Sequence, residues 1–347
     1  MKKILVIRND KIGDFMLAWP SFAMLKQSLP ECHITALVPS YTKALAELCP
    51  WIDEVMIDPT KKADKTAQKQ LIEQIKAEQF DASINLFSTT YNALLVWKAG
   101  IQYRLAPATK VAQIFYNHRI KQKRSQSAKP EYEYNLDLIR AFLKDINAPE
   151  VEPTTPYLSF SSTERNEQKQ KLAQLLDIDS KKLWVYVHAG SGGSANNLSL
   201  EQYTQLYTEL SLDSECVLTA GPGEEAKAQE LHELLKQKGV RSVVYDKNDG
   251  LVDFTRSIAC ADLFIAGSTG PLHIAATLDV PTVGFFPSKR SATPLRWRPI
   301  NSAGNHIAFC PPPAENKQNQ EDMTRIDISN VAKELKEWAA KKLGRVE

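Results

Sequence analysis

The sequence predicts an α/β protein built as two doubly wound domains facing across a cleft. Three observations carry this. Short apolar runs recur without polar alternation, which marks strands buried on both faces of a parallel sheet. Helical patterns lie between most of these runs, as crossover connections require. The series occurs twice, on either side of a segment, residues 147–156, that holds Pro149, Pro153 and Pro156 and has no periodicity.

In order, residues 4–7 read as the first strand, followed by a helix through Pro20, Phe22, Met24 and Leu25 to about residue 28. Strand-like runs follow at 33–38, 53–57, 82–86 and 102–105, with helical patterns at 70–78 and 91–98. After the proline segment, strands are expected at 184–188, 216–220, 241–245, 263–266 and 280–286. Helices at 199–210, 224–236 and 252–260 separate them. A last helix at 328–342 carries an apolar stripe of Val331, Leu335, Trp338, Ala339 and Leu343, suited to packing back across the domain junction. The domains are therefore drawn at residues 1–150 and 157–325, with 326–347 as the closing helix.

Composition narrows the class. A chain of 347 residues suits two domains. A net charge of +2 supplies no strong field toward nucleic acid or a membrane. The cysteines, Cys32, Cys49, Cys216, Cys260 and Cys310, are scattered and form no C-x-x-C pair, which fits reduced thiols in the cytoplasm and no zinc site. The opening stretch, residues 1–8, has too short an apolar core for a signal peptide, and no run reaches bilayer length.

In doubly wound sheets ligands bind where strands end and helices begin. Four such turns stand out. Arg8-Asn9-Asp10-Lys11-Ile12-Gly13-Asp14 follows the first strand. His188-Ala189-Gly190-Ser191-Gly192-Gly193-Ser194 follows the first strand of the second domain; it is neither a Walker loop nor a G-x-G-x-x-G fingerprint, and reads as a diphosphate cradle or as a surface loop. Gly221-Pro222-Gly223-Glu224 places an acid where a helix starts, as a cap or as a ligand for a ribose or base edge. Gly267-Ser268-Thr269-Gly270-Pro271-Leu272-His273 opens straight into a helix N-terminus, where free amides and the helix dipole favour a phosphate; the plainer alternative is an ordinary turn with a core histidine.

Taken together, Asp10-x-x-Gly13-Asp14, Ala220-Gly-Pro-Gly-Glu224-Glu225 and Ser268-Thr-Gly-Pro-Leu-His-Ile-Ala-Ala276 resemble the ADP-heptose:lipopolysaccharide heptosyltransferase family. Those are inverting glycosyltransferases of family 9, with the GT-B arrangement of two Rossmann-like domains. The similarity spans nearly the whole chain in the family's order.

The resemblance implies roles. Asp14 matches the family's general base, with Asp10 as the second candidate; a helix N-cap is the other role open to Asp14. The donor, a nucleotide sugar, would rest on Ser268, Thr269, Gly270, Pro271, Leu272 and His273, with Glu224 near the nucleoside. Ser191, Gly192, Ser194 and Asn196 would complete the donor side. Neither a cofactor nor a metal is implied. The lone Asp-x-Asp, Asp177-Ile178-Asp179, reads as a helix-terminating loop.

Two departures stand out. Where the family shows Lys-x-Trp-Pro, with its Lys on the phosphates, this chain has Asn196, Asn197, Leu198 and Ser199. Where the family often has Asp, it has Ser268. Lys11, Lys289, Arg290, Ser191, Ser194 and the helix dipoles are the candidates to compensate.

The family's acceptor is an anionic lipopolysaccharide core held at the inner membrane, so a cytoplasmic enzyme with peripheral membrane contact is implied. The basic segment 110–129, loop-like in pattern, suits such an acceptor or a solvated surface. Lys98, Arg119 and Lys121 are the acceptor candidates. A nucleotide-sugar 2-epimerase and a catalytically silent nucleotide- or glycan-binding paralogue are the alternative readings of the same architecture.

Overall fold

The computed structural model describes residues 1–193 and 196–344. The chain divides into two units, Met1–Tyr157 and Leu158–Glu347.

The first unit carries strands β1 (Lys3–Ile7), β2 (His33–Pro39), β3 (Glu54–Asp58), β4 (Ala82–Asn85), β5 (Tyr103–Pro107) and β6 (His118–Ile120). They form one sheet in the order β3-β2-β1-β4-β5-β6, every pairing parallel. Its helices are α1 (Ile12–Met16), α2 (Trp19–Ser28), α3 (Lys43–Leu48), α4 (Lys65–Ala77), α5 (Thr90–Lys98) and α6 (Glu131–Asp145). One core layer joins Leu5, Ile7 and Leu37 from the strands to Leu71, Ile75, Leu95 and Val96 from α4 and α5. Strand order reverses at β1, which lies between β2 and β4, so the turns after β1 and β4 open at the switch point where such sheets bind ligands.

The second unit carries β7 (Leu183–His188), β8 (Ser214–Thr219), β9 (Ser242–Tyr245), β10 (Leu263–Gly267), β11 (Thr282–Phe285) and β12 (His306–Phe309), in the parallel order β12-β11-β10-β7-β8-β9. Its helices are α7 (Ser162–Leu176), α8 (Leu200–Leu210), α9 (Glu225–Gln237), α10 (Leu251–Ile258), α11 (Gly270–Thr277), α12 (Lys317–Glu321) and α13 (Ile328–Leu343). Here the reversal lies at β7, flanked by β8 and β10, which brings the turns after those three strands to one stretch of sheet edge.

Local chemistry sets the helix starts. Ser161 and Glu164 form a reciprocal capping box on α7, and Ser199 and Gln202 do the same on α8. Asp64 and Thr89 cap α4 and α5 through their side chains. Asp177 ends α7 in a left-handed conformation, the helix-terminating position read from sequence.

The structure adds elements beyond those read from sequence. β6 and β12 are short strands at the sheet edges with partly exposed residues; β6 reads His-Arg-Ile, and the apolar part of β12 is three residues long, Ile307 to Phe309. Segment 110–129, expected as a loop, holds a 3₁₀ turn at Val111–Phe115, then β6, then a second 3₁₀ turn at Arg124–Gln126. The last helix, α13, packs on α8 of its own unit and gives Val331, Ala332 and Leu335 to that unit's core. Among the described residues no helix is long and apolar enough to cross a membrane.

Candidate active site

In the first unit, β1 delivers Arg8 to the switch point with only 2% of its surface exposed. A buried guanidinium must have all its donors answered. Nε and Nη2 fork onto the two oxygens of Asp10, each at 2.9 Å. Nη2 also reaches Asp14 Oδ1 at 3.2 Å. Nη1 donates to Glu131 Oε1 at 3.0 Å and Asn135 Oδ1 at 3.3 Å, both on α6. Arg124 adds a second cation, Nη1 donating to the same Glu131 oxygen at 2.7 Å.

Asp14 is not the cap of its helix. Lys11 takes the N-cap position of α1 and Asp14 lies in the first turn, where the helix dipole favours a negative charge. Burial nevertheless pushes its carboxyl up to about 6, assisted by the charges of Asp10 and Glu131 and opposed by Arg8 and Lys11. A carboxyl in that range is ionised at neutral pH and more basic than an ordinary aspartate, which suits it to accept a proton.

Beside this cluster Asn9 and Asn92 exchange two amide bonds, at 2.7 and 2.8 Å. Asn9 also donates to Asp58 Oδ2 at 2.7 Å, and Tyr91 donates to Asp58 Oδ1 at 2.7 Å. These bonds tie the ends of β1 and β3 to the start of α5 and fix the loop that holds Asp10.

The second unit gathers its polar groups at the ends of β7, β8 and β10. Glu224 stands at the N-cap of α9, yet its side chain makes no cap bond. It turns back instead and accepts from the Gly192 amide at 2.7 Å and the Gly221 amide at 3.1 Å. His188 Nε2 lies 3.3 Å from Oε2, the oxygen that takes the Gly221 amide. His188 Nδ1 is held by the Thr219 hydroxyl at 2.9 Å. The His188 bond, joined by the Gly192 and Gly221 amides and opposed by burial, lowers the Glu224 carboxyl to about 2. Gly190 permits this: a Cβ there would lie 2.1 Å from the Glu224 carboxylate. The Gly192 amide, expected to face a diphosphate, thus serves Glu224 here.

Asn197 holds the glycine-rich turn. It donates to the Ala189 carbonyl at 3.0 Å and the Gly190 carbonyl at 3.2 Å, and accepts from the Leu198 amide at 2.8 Å and the Tyr203 hydroxyl at 2.6 Å. It fits against β10 because Gly267 has no side chain; a Cβ there would be 2.6 Å from Asn197 Oδ1. Asn196, at the position of the family's Lys, is exposed and donates to the Glu321 carbonyl at 3.0 Å. Ser194 lies outside the described residues. Lys289, a candidate to replace the missing cation, pairs with Glu321 at 2.8 Å.

The turn after β10 runs Gly267, Ser268, Thr269, with Thr269 at the N-cap of α11 and no side-chain cap bond. Pro271 contributes no N–H, so the orphan donors of the first turn come from Gly270 and Leu272. Thr269 Oγ1 is buried with no partner among the described residues. His273 is 3% exposed, and burial together with His306 lowers its imidazole to about 3. It is therefore a neutral ring at physiological pH, its Nδ1 without a partner among the described residues.

The basic segment is more ordered than its composition suggests. His118 stacks on Tyr103 with centroids 3.8 Å apart and pairs with Asp145 at 3.2 Å. Lys129 pairs with Asp137. Arg119 lies in β6 and Lys121 just after it, both exposed, so Lys121 belongs to the sheet edge that also carries Asp14. Lys98 does not. It ends α5, which leaves that edge after β4 and runs back for nine residues, so Lys98 lies about 13 Å away along the helix.

Sequence reading singled out Asp10 and Asp14 but not Glu131 and Arg124, which share their charge network, nor the role of Arg8. The pairing of Arg8 with Glu131 spans 123 residues and leaves no local pattern. His188 and Gly190 were visible as strand end and turn, without sign that they hold Glu224.

Residues 68–326 match Glycosyltransferase family 9 (heptosyltransferase). The chain is 56% identical over 337 residues, 96% of each chain, to the Haemophilus influenzae protein named "Putative glycosyltransferase". Its fold is similar to that of the glycosyl transferase family 9 protein of Veillonella parvula, at TM-score 0.80 and 15% identity, covering 98% of this chain and 97% of that one. It is likewise similar to the ADP-heptose lipopolysaccharide heptosyltransferase II of Escherichia coli, at TM-score 0.76 and 18% identity, covering 99% and 100%. The α/β fold read from the sequence is the GT-B fold of these structures.

Proposed function

The chain belongs to glycosyltransferase family 9, and from that premise we propose that it moves a heptose, or another sugar, from an ADP-linked donor to a lipopolysaccharide core with inversion. It is a glycosyltransferase related to the lipopolysaccharide heptosyltransferases. The observation that carries the reading is Asp14: a carboxylate at the switch point, raised to about 6 and oriented by Arg8. It takes the proton of the acceptor hydroxyl. The freed oxygen attacks the anomeric carbon from the face opposite the diphosphate. The bond from that carbon to the leaving oxygen breaks, and its electron pair stays on the β-phosphate.

On this reading the departing charge is met by the amides of Gly270 and Leu272 and the hydroxyls of Ser268 and Thr269, fixed donors that need no reorganisation. His273, a neutral ring, contributes a hydrogen bond rather than a charge. Glu224, bonded to the Gly192 amide, stays an acceptor at all working pH values and suits ribose hydroxyls, and Ser191 and Asn196 complete the donor side. Lys121 and Arg119 meet the anionic acceptor, whose lipid brings the enzyme to the cytoplasmic face of the inner membrane. The name of the Escherichia coli relative supports ADP-heptose as the donor.

Calorimetric titration with ADP, UDP and GDP tests the donor half. ADP should bind tightest, and more weakly in Thr269→Val. Equal binding of all three nucleotides, or none, would contradict it.

A further inference from the structure

Most large apolar side chains of the described residues are covered, but three exposed ones share one region of the first unit. Trp97 is 50% exposed, Ile114 64% and Val111 79%. Trp97 lies in the last turn of α5, and the 3₁₀ turn Val111–Phe115 packs on that helix. A three-residue period puts Val111 and Ile114 on the same side of the turn. Phe115 joins them to the helix, its ring 5.2 Å from that of Trp97 and tilted by 56°. Burying these groups in the unit's own core was open to the fold; it packs Ala112 inward instead.

Cations border the patch. Lys98 follows Trp97 and Lys110 precedes Val111. Arg104 backs it, donating Nε to the Phe115 carbonyl at 2.8 Å and Nη1 to the Ile101 carbonyl at 2.6 Å. His118 of this stretch contacts Asp145, and Arg124 and Lys129 form ion pairs. Among the described residues Lys98 and Lys110 make none.

We propose that this patch docks on an anionic lipid bilayer. Val111 and Ile114 enter the acyl boundary, Trp97 and Phe115 settle at headgroup depth, and Lys98 and Lys110 meet lipid phosphates. Two features select a bilayer over a protein partner. The apolar element is a single five-residue turn beside one helix end, small against the roughly 800 Å² per partner of a stable protein interface. Its flanking cations Lys98 and Lys110 have no acidic partner among the described residues, which is charge complementarity to anionic headgroups. The inference deepens the membrane contact of the proposed function by naming its surface, and it does not depend on which sugar is moved.

The test is flotation of the full chain with vesicles of phosphatidylglycerol mixed into phosphatidylcholine, and with phosphatidylcholine alone. The protein should float with the anionic vesicles, and added salt should weaken binding. Val111→Ser with Ile114→Ser should weaken it by roughly tenfold or more, and Lys98→Glu with Lys110→Glu should abolish its salt dependence. All four positions are exposed, so melting temperatures should hold. Trp97→Phe should remove the blue shift of emission on vesicle addition. No flotation of the wild type, or equal flotation of Val111→Ser/Ile114→Ser, would overturn the proposal. So would a dimer that this pair of changes converts to monomer without altering flotation, because the patch would then join two copies of the chain. Transfer to a delipidated core fragment, measured on the same proteins, reports on the reaction separately and should be unchanged by Val111→Ser/Ile114→Ser.

Discussion

The Arg8 guanidinium lies 3.2 Å from the Asp14 carboxylate while it also holds Asp10 and Glu131. One buried cation therefore serves three acids, and Arg124 shares Glu131 with it. Asp14 has the longest of the three carboxylate contacts, and its carboxyl is raised. The cluster orients Asp14 without neutralising it, the arrangement a proton acceptor needs.

Arg8→Lys keeps the charge but loses the planar fork, so Asp10 and Asp14 can no longer be held together. Transfer should fall by about 10- to 100-fold, in kcat more than in donor affinity. Arg8→Gln should shift the acidic limb of the pH–rate profile upward, because the cation that opposes the rise in the Asp14 carboxyl is gone. It should also lower stability, by roughly 1–3 kcal/mol, because Asp10 and Asp14 lose their shared guanidinium while Arg124 still holds Glu131. Steady-state kinetics across pH and urea unfolding check both effects. An unmoved acidic limb would dissociate Arg8 from Asp14.

The wild-type rate should track the ionised fraction of Asp14 and fall as pH drops below about 6. The same group predicts a stability effect. Its folded value, about 6, exceeds its ordinary 3.8, so the stability it contributes is complete below pH 3.8 and is lost as pH rises through about 6. Asp14→Asn should therefore melt above the wild type at pH 8, with the difference vanishing near pH 4. Thermal scans at both values decide it; a lower melting point at pH 8 would contradict the burial assigned to Asp14.

Gly190 makes room for Glu224, and an alanine Cβ would occupy its carboxylate position. That carboxylate is the far end of a flexible side chain, so Gly190→Ala should cost little stability, about 1 kcal/mol. It should weaken nucleotide binding about tenfold by displacing Glu224 from the Gly192 and Gly221 amides. Calorimetry beside a denaturant melt separates the two effects; unchanged affinity would remove Glu224 from the donor side.

Asn196 is exposed and donates to the Glu321 carbonyl. Asn196→Lys should tighten ADP binding by roughly tenfold if the loop reaches the phosphates. Titration with ADP at two salt concentrations reads this out, since an added charge contact weakens as salt rises.

Much of the frame could be read from the chain because parallel strands are continuous apolar runs and their turns use distinctive residues. The runs at β1, β7 and β10 and the Gly267–Gly270 turn are of this kind. β6 and β12 escaped because edge strands can be very short: β6 is three residues with one apolar, and β12 is four. Ser161-x-x-Glu164 is a capping-box signature that marks the start of α7. No local signal could have revealed Glu131 as the partner of Arg8, or Glu224 folded over Gly190, since both depend on chain folding across distant strands. The same holds for Lys98: its charge was visible, but its distance from Asp14 follows from the direction of α5.

Asp14→Asn, assayed for transfer and for ADP affinity in one preparation, tests the account most directly. Transfer to a lipopolysaccharide core acceptor should fall by roughly 10²–10⁴-fold while ADP binds as in the wild type. Transfer at the wild-type rate would show that another group takes the proton, and the assignment of Asp14 would be wrong.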